Sequence, residues 1–256
     1  MTVRLRDSYA PGALWRGARD NLGIGVAVSG YGAVFGVLTA GKGIALADMV
    51  AMNLFIFAGA AQFLIVEMWT PTAVVAEIIL AALIINLRYL LVGASLRPVF
   101  TGRPLHHKAL GMHLVADENW AVTMNGVARA GGVNGGAMPG PAHLLGGGLC
   151  LAAFWHAASA AGHVAGNFLP APHVLGLDFA FTAVFLALAL GLWKGRGDLL
   201  PWIVTGATAW IAAEMLPGKW YVLIAAAAGF AATVIQHALS GGAENGANGE
   251  EALSDA

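Results

Sequence analysis

A single arginine stands deep inside an apolar run of this sequence, where its charge needs a chemical partner. The stretch ILAALIINLRYLLVGASLRP places Arg88 eight residues, or about 12 Å of helix, before the run ends at Leu96. Snorkelling recovers on the order of 6 Å of that depth, and a charge buried at mid-span costs about 2.5–3.5 kcal/mol on insertion scales. Arg88 is therefore either a structural residue, snorkelling or ion-paired, or part of a binding site or gate.

The neighbours of Arg88 along the chain do not explain how its charge is balanced. Asn86 is two residues away, about 200° around a regular α-helix, so the two side chains do not face one pocket. Either one of them packs against a neighbouring helix, or the helix is irregular there. Glu77 shares a face with Arg88 but lies about 16 Å away along the axis. The partner of Arg88 must come from another helix or from a bound ligand.

The stretch NLFIFAGAAQF (53–63) is the second candidate site. Gly59, Ala60 and Ala61 stand between Phe57 and Gln62. Small residues at this density allow either close helix packing or a break in the helix whose free backbone groups coordinate a ligand. At a break, the N-terminus of the following half-helix attracts a carboxylate through its unpaired N–H groups and its dipole. Gln62 is able both to donate and to accept hydrogen bonds.

A short segment carries two adjacent carboxylates. The stretch ALGMHLVADENWAVTM (109–124) has a helical pattern but covers only about 24 Å, and His113 and Asp117 fall on one of its faces, with Glu118 next in sequence. Paired carboxylates buried in a membrane protein bind a cation or carry a proton, because low polarity and mutual repulsion raise one pKa. If the segment lies at the membrane interface, the same two groups are simply solvated.

The remaining reactive residue types predict neither a metal site nor an enzyme. His156 and His163 are seven residues apart, but zinc needs further ligands at compatible spacing, and the sequence offers none. Cys150 is the single cysteine, so there is no disulfide framework. No Ser/His/Asp spacing, phosphate-binding loop or HExxH motif occurs. We therefore expect no catalytic residues, no cofactor and no bound metal.

These residues belong to a chain with the composition of a polytopic membrane protein. Of its 256 residues, 58% are hydrophobic and 11% are charged, whereas about a quarter of the residues in a soluble domain are charged. The mean hydropathy is +0.72, and runs long enough to span a lipid bilayer recur. The net charge of −1 argues against nucleic acid as a partner, since no basic stripe is present to neutralise phosphates.

Seven apolar runs predict an all-α polytopic membrane protein of seven or eight transmembrane helices. The runs are 22–39, 45–66, 73–96, 144–168, 174–193, 199–216 and 220–237. FAGAAQF interrupts the second run, which indicates a broken or re-entrant helix. The segment 109–124 is an eighth span if it crosses the membrane.

The chain divides into one transmembrane domain between two polar tails. Residues 1–19 are interpreted as a short N-terminal cytoplasmic tail and residues 20–238 as a single transmembrane domain. Residues 239–256 are glycine-rich and acidic, and this composition predicts a disordered tail.

The transmembrane domain shows a weak internal repeat. Segments 20–98 and 144–237 match at an offset of 130 residues across the connector 99–143, and the matched pairs are Gly36 with Gly166, Asp48 with Asp178, Phe55 with Phe185 and Pro71 with Pro201. This indicates duplication of a three-helix unit, an arrangement that places substrates near the repeat interface in secondary transporters. The repeats are inverted if 109–124 does not span the membrane and parallel if it does.

Four stretches, taken in order, resemble the AzlC family, the large subunits of bacterial branched-chain amino acid exporters. They are FAGAAQF (57–63), INLRYLLVGASLRP (85–98), LVADENWAV (114–122) and LGLDFAFTAVFLAL (175–188), and the likeness covers roughly residues 16–237. Ala61 stands where serine is common in that family. Asn119 and Trp120 replace a more usual small and aromatic pair. These departures leave the identity of the substrate open.

The resemblance implies a multi-pass exporter of the bacterial cytoplasmic (inner) membrane that works with a small hydrophobic subunit of the AzlD type. Its expected substrates are leucine, isoleucine and valine, with methionine as a further candidate, moved outward by ion or proton coupling. The alternatives are an exporter of another small zwitterion or organic acid, and a non-transporting membrane assembly subunit in which Arg88 holds helices together.

An amino acid bound in mid-membrane needs partners for its carboxylate, its ammonium group and its apolar side chain. The candidate substrate-binding residues are Arg88, Asn86, Gly59, Gln62, Phe57, Asp117 and Glu118. Arg88 or the N–H groups near Gly59 would hold the carboxylate, and Asp117 or Glu118 would hold the ammonium group or carry the coupling proton. Phe57, with Phe55 and Phe63, would line the apolar pocket.

Overall fold

In a computed structural model, the regular elements of the described residues are all helices, as the composition predicts. The structure describes residues 11–130, 138–169, 195–216 and 220–254, together with a few positions between 179 and 193. The predicted run 174–193 lies largely outside the described residues, as do Asp178 and Phe185 of the repeat. Residues 1–10 of the N-terminal segment and 131–137 of the connector lie outside them too.

The chain forms two compact units, one from residues 1–74 and 85–185 and the other from residues 75–84 and 186–256. The helices up to residue 130 are α1 (Pro11–Asp20), α2 (Leu22–Gly41), α3 (Leu46–Phe55), α4 (Gly59–Met68), α5 (Val75–Asn86), α6 (Arg88–Ser95), α7 (Arg97–Phe100), α8 (Leu105–His113) and α9 (Asp117–Ala130). The later helices are α10 (Pro141–Gly166), α11 (Leu199–Met215) and α12 (Trp220–Ser254). The backbone of α12 is thus helical in the region where composition predicts a disordered tail.

Three helical stretches among the described residues are long and apolar enough to cross a membrane. They are Leu22–Gly41, Val75–Ser95 and Pro141–Gly166, and the second comprises α5 and α6. α3, α4 and the part Ile224–Leu239 of α12 are shorter apolar helices. These findings support a multi-pass membrane protein, while the count of seven or eight spans and the internal duplication stay predictions.

α10 is the central helix of the first unit, and it packs closely against α2. A Cβ atom built at Gly162 of α10 overlaps the carbonyl oxygen of Ala33, and one built at Gly36 of α2 overlaps the carbonyl oxygen of Ser159. Only glycine allows the two backbones to approach so closely. α10 also contacts α1, α3, α8 and α9, so its side chains reach several of the elements that carry candidate residues.

Residues 11–20 belong to the helical fold, although the sequence analysis placed them in or next to a tail. α1 packs on α10, where Gly17 meets the backbone of His143. His143 Nε2 also lies 2.9 Å from Asp20 Oδ2. α1 is held on α10 by the close backbone contact at Gly17 and by the polar contact of Asp20 with His143. Neither feature produces a long apolar run in the sequence.

The second apolar run is broken, as FAGAAQF indicates. α3 ends at Phe55 and α4 begins at Gly59, so three residues, Ile56 to Ala58, separate two helices of ten residues each. The N-cap residue of α4, Ala58, provides no side-chain hydrogen bond to the first turn. The free N–H groups at the start of α4 are therefore not capped by that side chain.

The prediction of one helix over residues 109–124 is wrong, because α8 ends at His113 and α9 begins at Asp117. Asn119 explains the break, since its Oδ1 accepts a hydrogen bond from Ala116 N at 2.7 Å and its Nδ2 donates to Leu114 O at 3.0 Å. A side-chain amide thus replaces the helical hydrogen bonds of the backbone. His113 and Asp117 consequently do not share a helix face.

The second unit is built mainly from α11 and α12, which pack against each other. Gly229 of α12 lies against the side chain of Thr205 of α11. At one end of the pair, Gln236 Nε2 donates a hydrogen bond to Gly197 O at 2.9 Å. The candidate site residues lie in the first unit.

Candidate functional site

Arg88 pairs with Asp117. Arg88 Nη1 lies 2.6 Å from Asp117 Oδ2, and the two side chains are 37% and 46% exposed. Arg88 opens α6 and Asp117 opens α9, where the positive end of the helix dipole stabilises a carboxylate. The prediction that the partner comes from another helix is confirmed, and it is not Glu77.

A second link holds α6 against α9. Trp120 Nε1 donates to Ser95 Oγ at 2.8 Å, and Ser95 Oγ donates in turn to Val92 O at 2.7 Å. The buried apolar residues around this contact are Val92, Leu96, Val99, Phe100, Val115 and Leu144. The ion pair is therefore fixed by the packing of the two helices on which it stands.

The helix is irregular between Asn86 and Arg88, which is one of the two alternatives left open by the sequence. α5 ends at Asn86, α6 begins at Arg88, and Leu90 N bonds to Leu87 O at 3.0 Å across the joint. Asn86 Oδ1 and Arg88 Nε are buried without a hydrogen-bond partner among the described residues. An unused acceptor and an unused donor therefore flank this joint. The Arg88 Cζ atom also lies 5.3 Å from the centre of the Tyr89 ring.

Glu118 differs from Asp117 in having no arginine partner within the part of the chain that the structure describes. α9 is outside the three candidate spans, and burial raises the pKa of Glu118 above its ordinary value. The hydrogen bond to its own backbone opposes this effect, the charge of Asp117 adds to it, and Arg88 opposes it. Glu118 thus keeps its proton at a higher pH than an ordinary glutamate does.

Gln62 belongs to a buried network at the α3/α4 break. Gln62 Nε2 donates to Asn53 Oδ1 at 2.7 Å, and Trp155 Nε1 donates to the same oxygen at 3.0 Å. Asn53 Nδ2 donates to Ser159 Oγ at 2.8 Å. Three of these residues, Gln62, Asn53 and Ser159, are at most 1% exposed. α3, α4 and α10 are therefore joined by polar contacts inside an otherwise apolar unit.

The sequence analysis did not assign a role to Asn53 or Trp155. A polar amide six residues before Gly59 was the available signal for Asn53. Trp155 lies in an ordinary apolar run, and nothing in the sequence shows that it faces the broken helix. Its role depends on the packing of α10, which only the structure gives.

Aromatic residues surround this network. The Trp155 ring stacks on Phe35 at 5.4 Å between centroids, and Phe63 packs edge-on to Phe35 at 5.5 Å. A Cβ atom built at Gly59 would lie 3.4 Å from the Trp155 ring, so Trp155 covers the start of α4. Phe57 is partly buried against the same cluster. Phe55 was expected to line the pocket with them, but it is 80% exposed and lies outside the cluster.

One hydrogen bond connects the two helix breaks. His113 Nε2 lies 2.8 Å from Leu54 O, and because a carbonyl oxygen only accepts, Nε2 carries the hydrogen. His113 ends α8 and Leu54 is in the last turn of α3. The structure thus brings Arg88, Asp117 and Glu118 together in one group and Gly59, Gln62 and Phe57 in another, and the bond from His113 to Leu54 links α8 to α3.

The histidines of α10 have separate partners. His156 Nδ1 donates to Ala152 O at 2.7 Å. His163 Nδ1 lies 2.9 Å from Thr39 Oγ1, and it must donate, because that hydroxyl gives its own hydrogen to Gly36 O. Among the described residues, no group of three His, Cys, Asp or Glu side chains is placed to hold a metal ion.

A comparison with protein families matches this part of the chain. A family model described as AzlC protein matches residues 23–169, which is more than half of the chain. All seven candidate substrate-binding residues and both helix breaks lie inside the matched region. No curated protein and no solved structure matches the chain.

Proposed function

This chain belongs to the AzlC family, and on that premise we propose that it is the large subunit of a secondary transporter that exports branched-chain amino acids. The proposed substrates are leucine, isoleucine and valine, with methionine as a further candidate. The proposed location is the bacterial cytoplasmic membrane, with a small AzlD-type subunit as partner. In this proposal the chain moves its substrate unchanged and is not an enzyme.

The observation that carries the proposal is the ion pair of Arg88 and Asp117 beside two broken helices. Broken helices in secondary transporters leave backbone groups free to hold substrate and coupling ions. An ion pair that is still partly exposed, at 37% and 46%, leaves its arginine accessible to the carboxylate of a zwitterion. A fully buried arginine would be closed to it.

Arg88 retains hydrogen-bonding capacity for a carboxylate while it holds Asp117. Only Nη1 is used in the bond to Asp117, and Nε is buried without a partner among the described residues. A guanidinium binds carboxylates best through two parallel N–H groups. We therefore assign the substrate carboxylate to the remaining edge of Arg88, with Asn86 at the joint beside it.

The proposed coupling ion is a proton carried by Glu118. Its raised pKa allows it to take up and release a proton nearer to neutral pH than an ordinary glutamate does. Asp117 is less suited to this role, because it is already paired with Arg88. Proton release from Glu118 and binding at Arg88 would then occur on neighbouring elements.

Counterflow of labelled leucine into proteoliposomes tests the proposal. We expect wild-type protein reconstituted with its small partner to show counterflow, and Arg88→Ala to abolish it at normal abundance and assembly. Arg129→Ala is the matched control, since Arg129 is an exposed arginine on α9, and it should leave counterflow unchanged. Wild-type protein that fails to exchange leucine, isoleucine or valine would contradict the proposal.

A second function is favoured by the same ion pair, namely an assembly subunit in which Arg88 and Asp117 only hold α6 against α9. The charge-swapped double variant, Arg88→Asp with Asp117→Arg, separates the two. A purely structural pair is restored by the swap, and wild-type behaviour returns. A substrate-binding arginine is displaced by it, so the protein assembles but counterflow stays absent.

A further inference from the structure

The hydrogen-bond network at the α3/α4 break ends in a buried acceptor. Gln62 has no exposed surface, and its Oε1 atom has no hydrogen-bond partner among the described residues. A buried acceptor left unpaired is costly, and most such atoms in native proteins are paired. We therefore expect a donor that is not part of the described chain to bind at this atom.

The identity of the free atom follows from both ends of the network. The indole N–H of Trp155 only donates, so the atom 3.0 Å away on Asn53 must be its oxygen. Ser159 gives its hydroxyl hydrogen to His156 O, so it accepts from the Asn53 nitrogen at 2.8 Å. With Asn53 fixed, the Gln62 atom 2.7 Å from its oxygen must be the nitrogen. The free end of Gln62 is therefore the oxygen, and only a donor can pair with it.

The position of the network favours a donor that belongs to the substrate. Asn53 is two residues before the end of α3 at Phe55, and Gln62 lies in the first turn of α4, so their amides meet at the α3/α4 break. Helix breaks of this kind hold substrates in secondary transporters. Of the two charged groups of an amino acid, only the ammonium group donates hydrogen bonds, and the Gln62 oxygen only accepts them. An incoming ammonium group would therefore find a free acceptor at Gln62.

We propose that Gln62 Oε1 accepts a hydrogen bond from the ammonium group of the transported amino acid, and that Trp155 is a positioning residue that fixes this oxygen through Asn53. The inference rests on the proposed function, because it assumes an amino acid as substrate. It replaces the sequence-based assignment of the ammonium group to Asp117 or Glu118. The protein then selects amino acids against the corresponding acids that lack the amino group.

Three ligands separate the charged ends of the substrate. Leucine has both groups, 4-methylpentanoate lacks the ammonium group, and isoamylamine lacks the carboxylate. Binding of each to the full-length protein in nanodiscs, with any subunit that copurifies, is measured by competition and by thermal shift. The variants are Gln62→Met, which keeps the length of the side chain, and Trp155→Phe, which removes both the indole N–H donor and the second ring.

We expect Gln62→Met to weaken leucine and isoamylamine binding about 10- to 100-fold, the range for a hydrogen bond to a charged group. Binding of 4-methylpentanoate should change less than about threefold in this variant. Trp155→Phe should act in the same direction by a smaller factor, because the amides of Asn53 and Gln62 are then free to reverse. Thr39→Val is the control. It removes a fully buried hydroxyl elsewhere in the first unit, and it should leave the ratio of the leucine and 4-methylpentanoate affinities unchanged.

The ratio of affinities within one variant does not depend on how much protein folds, so a destabilised variant remains informative. If Gln62→Met weakens leucine and 4-methylpentanoate equally, the inference is wrong while the proposed function stands. If Gln62→Met instead removes a sodium dependence of leucine binding and leaves the ratio unchanged, the oxygen binds a metal cation and the inference is also wrong. Wild-type protein that binds none of the three ligands overturns both the inference and the proposed function.

Discussion

Replacing Gly162 by alanine adds one methyl group where α10 meets α2, and we expect the protein to lose stability. A Cβ atom built there overlaps the carbonyl oxygen of Ala33, and a backbone oxygen cannot rotate away as the end of a side chain can. Inserting extra carbon into a packed interface costs about 1–3 kcal/mol, and alanine regains about 1 kcal/mol of helix propensity. Because the clash is with backbone, the upper part of the range applies, and the net loss is about 1–2 kcal/mol.

Gly30 of α2 provides the matched control. A Cβ atom built at Gly30 has nothing within 4 Å, so Gly30→Ala should be neutral or stabilise the protein by up to about 1 kcal/mol. The thermal midpoint of each variant in one detergent, followed by fluorescence-detected size exclusion, measures the difference. We expect a fall of roughly 2–8 °C for Gly162→Ala and none for Gly30→Ala. Equal shifts of the two variants in the same direction would refute the close contact of α2 with α10.

Three further perturbations test the site. Asn119→Ala removes three hydrogen bonds of a fully buried side chain. At roughly 1 kcal/mol per bond, the free energy of unfolding should fall by about 2–4 kcal/mol. Asn125→Ala, at an exposed position of α9, should leave the denaturation midpoint unchanged. The pKa of Glu118 is raised above its ordinary 4.5, so between the two values the native state binds more protons than the unfolded state. Stability should therefore fall as the pH rises from 4.5 through the raised pKa. Glu118→Gln should remove this slope in thermal midpoints measured across pH. Trp120→Phe should lower the free energy of unfolding by about 1 kcal/mol, because it removes the donor to Ser95. Ser95→Ala should lower it less in the Trp120→Phe background than in the wild-type protein, and a double-mutant cycle measures the difference.

The apolar runs predicted most of the helices because burial in a bilayer demands long apolar stretches. The run 199–216 corresponds to α11, and the interruption by FAGAAQF corresponds to the break at residues 56–58. α1 was missed because it is held by backbone contact at Gly17 rather than by an apolar face. The break before Asp117 was missed because it depends on Asn119, whose side chain competes with helical backbone bonds only where the chain bends.

The site was predictable up to the point at which two helices must be placed relative to each other. The high energetic cost of burying Arg88 indicated a partner from another helix, but only the packing of α6 on α9 shows that the partner is Asp117. Gln62 was singled out for its position after small residues. The direction of its hydrogen bonding required Trp155 and Ser159, which are more than 90 residues away along the chain and show no distinguishing pattern.

The bond between His113 and Leu54 also determines how movement spreads through the first unit. The bond joins His113 Nε2 to a backbone carbonyl oxygen, so it does not depend on the charge of Glu118. It links the last turn of α3 to the end of α8. A displacement that starts where the amide of Gln62 lies would reach the break before α9 through this hydrogen bond, which makes the transmission mechanical rather than electrostatic.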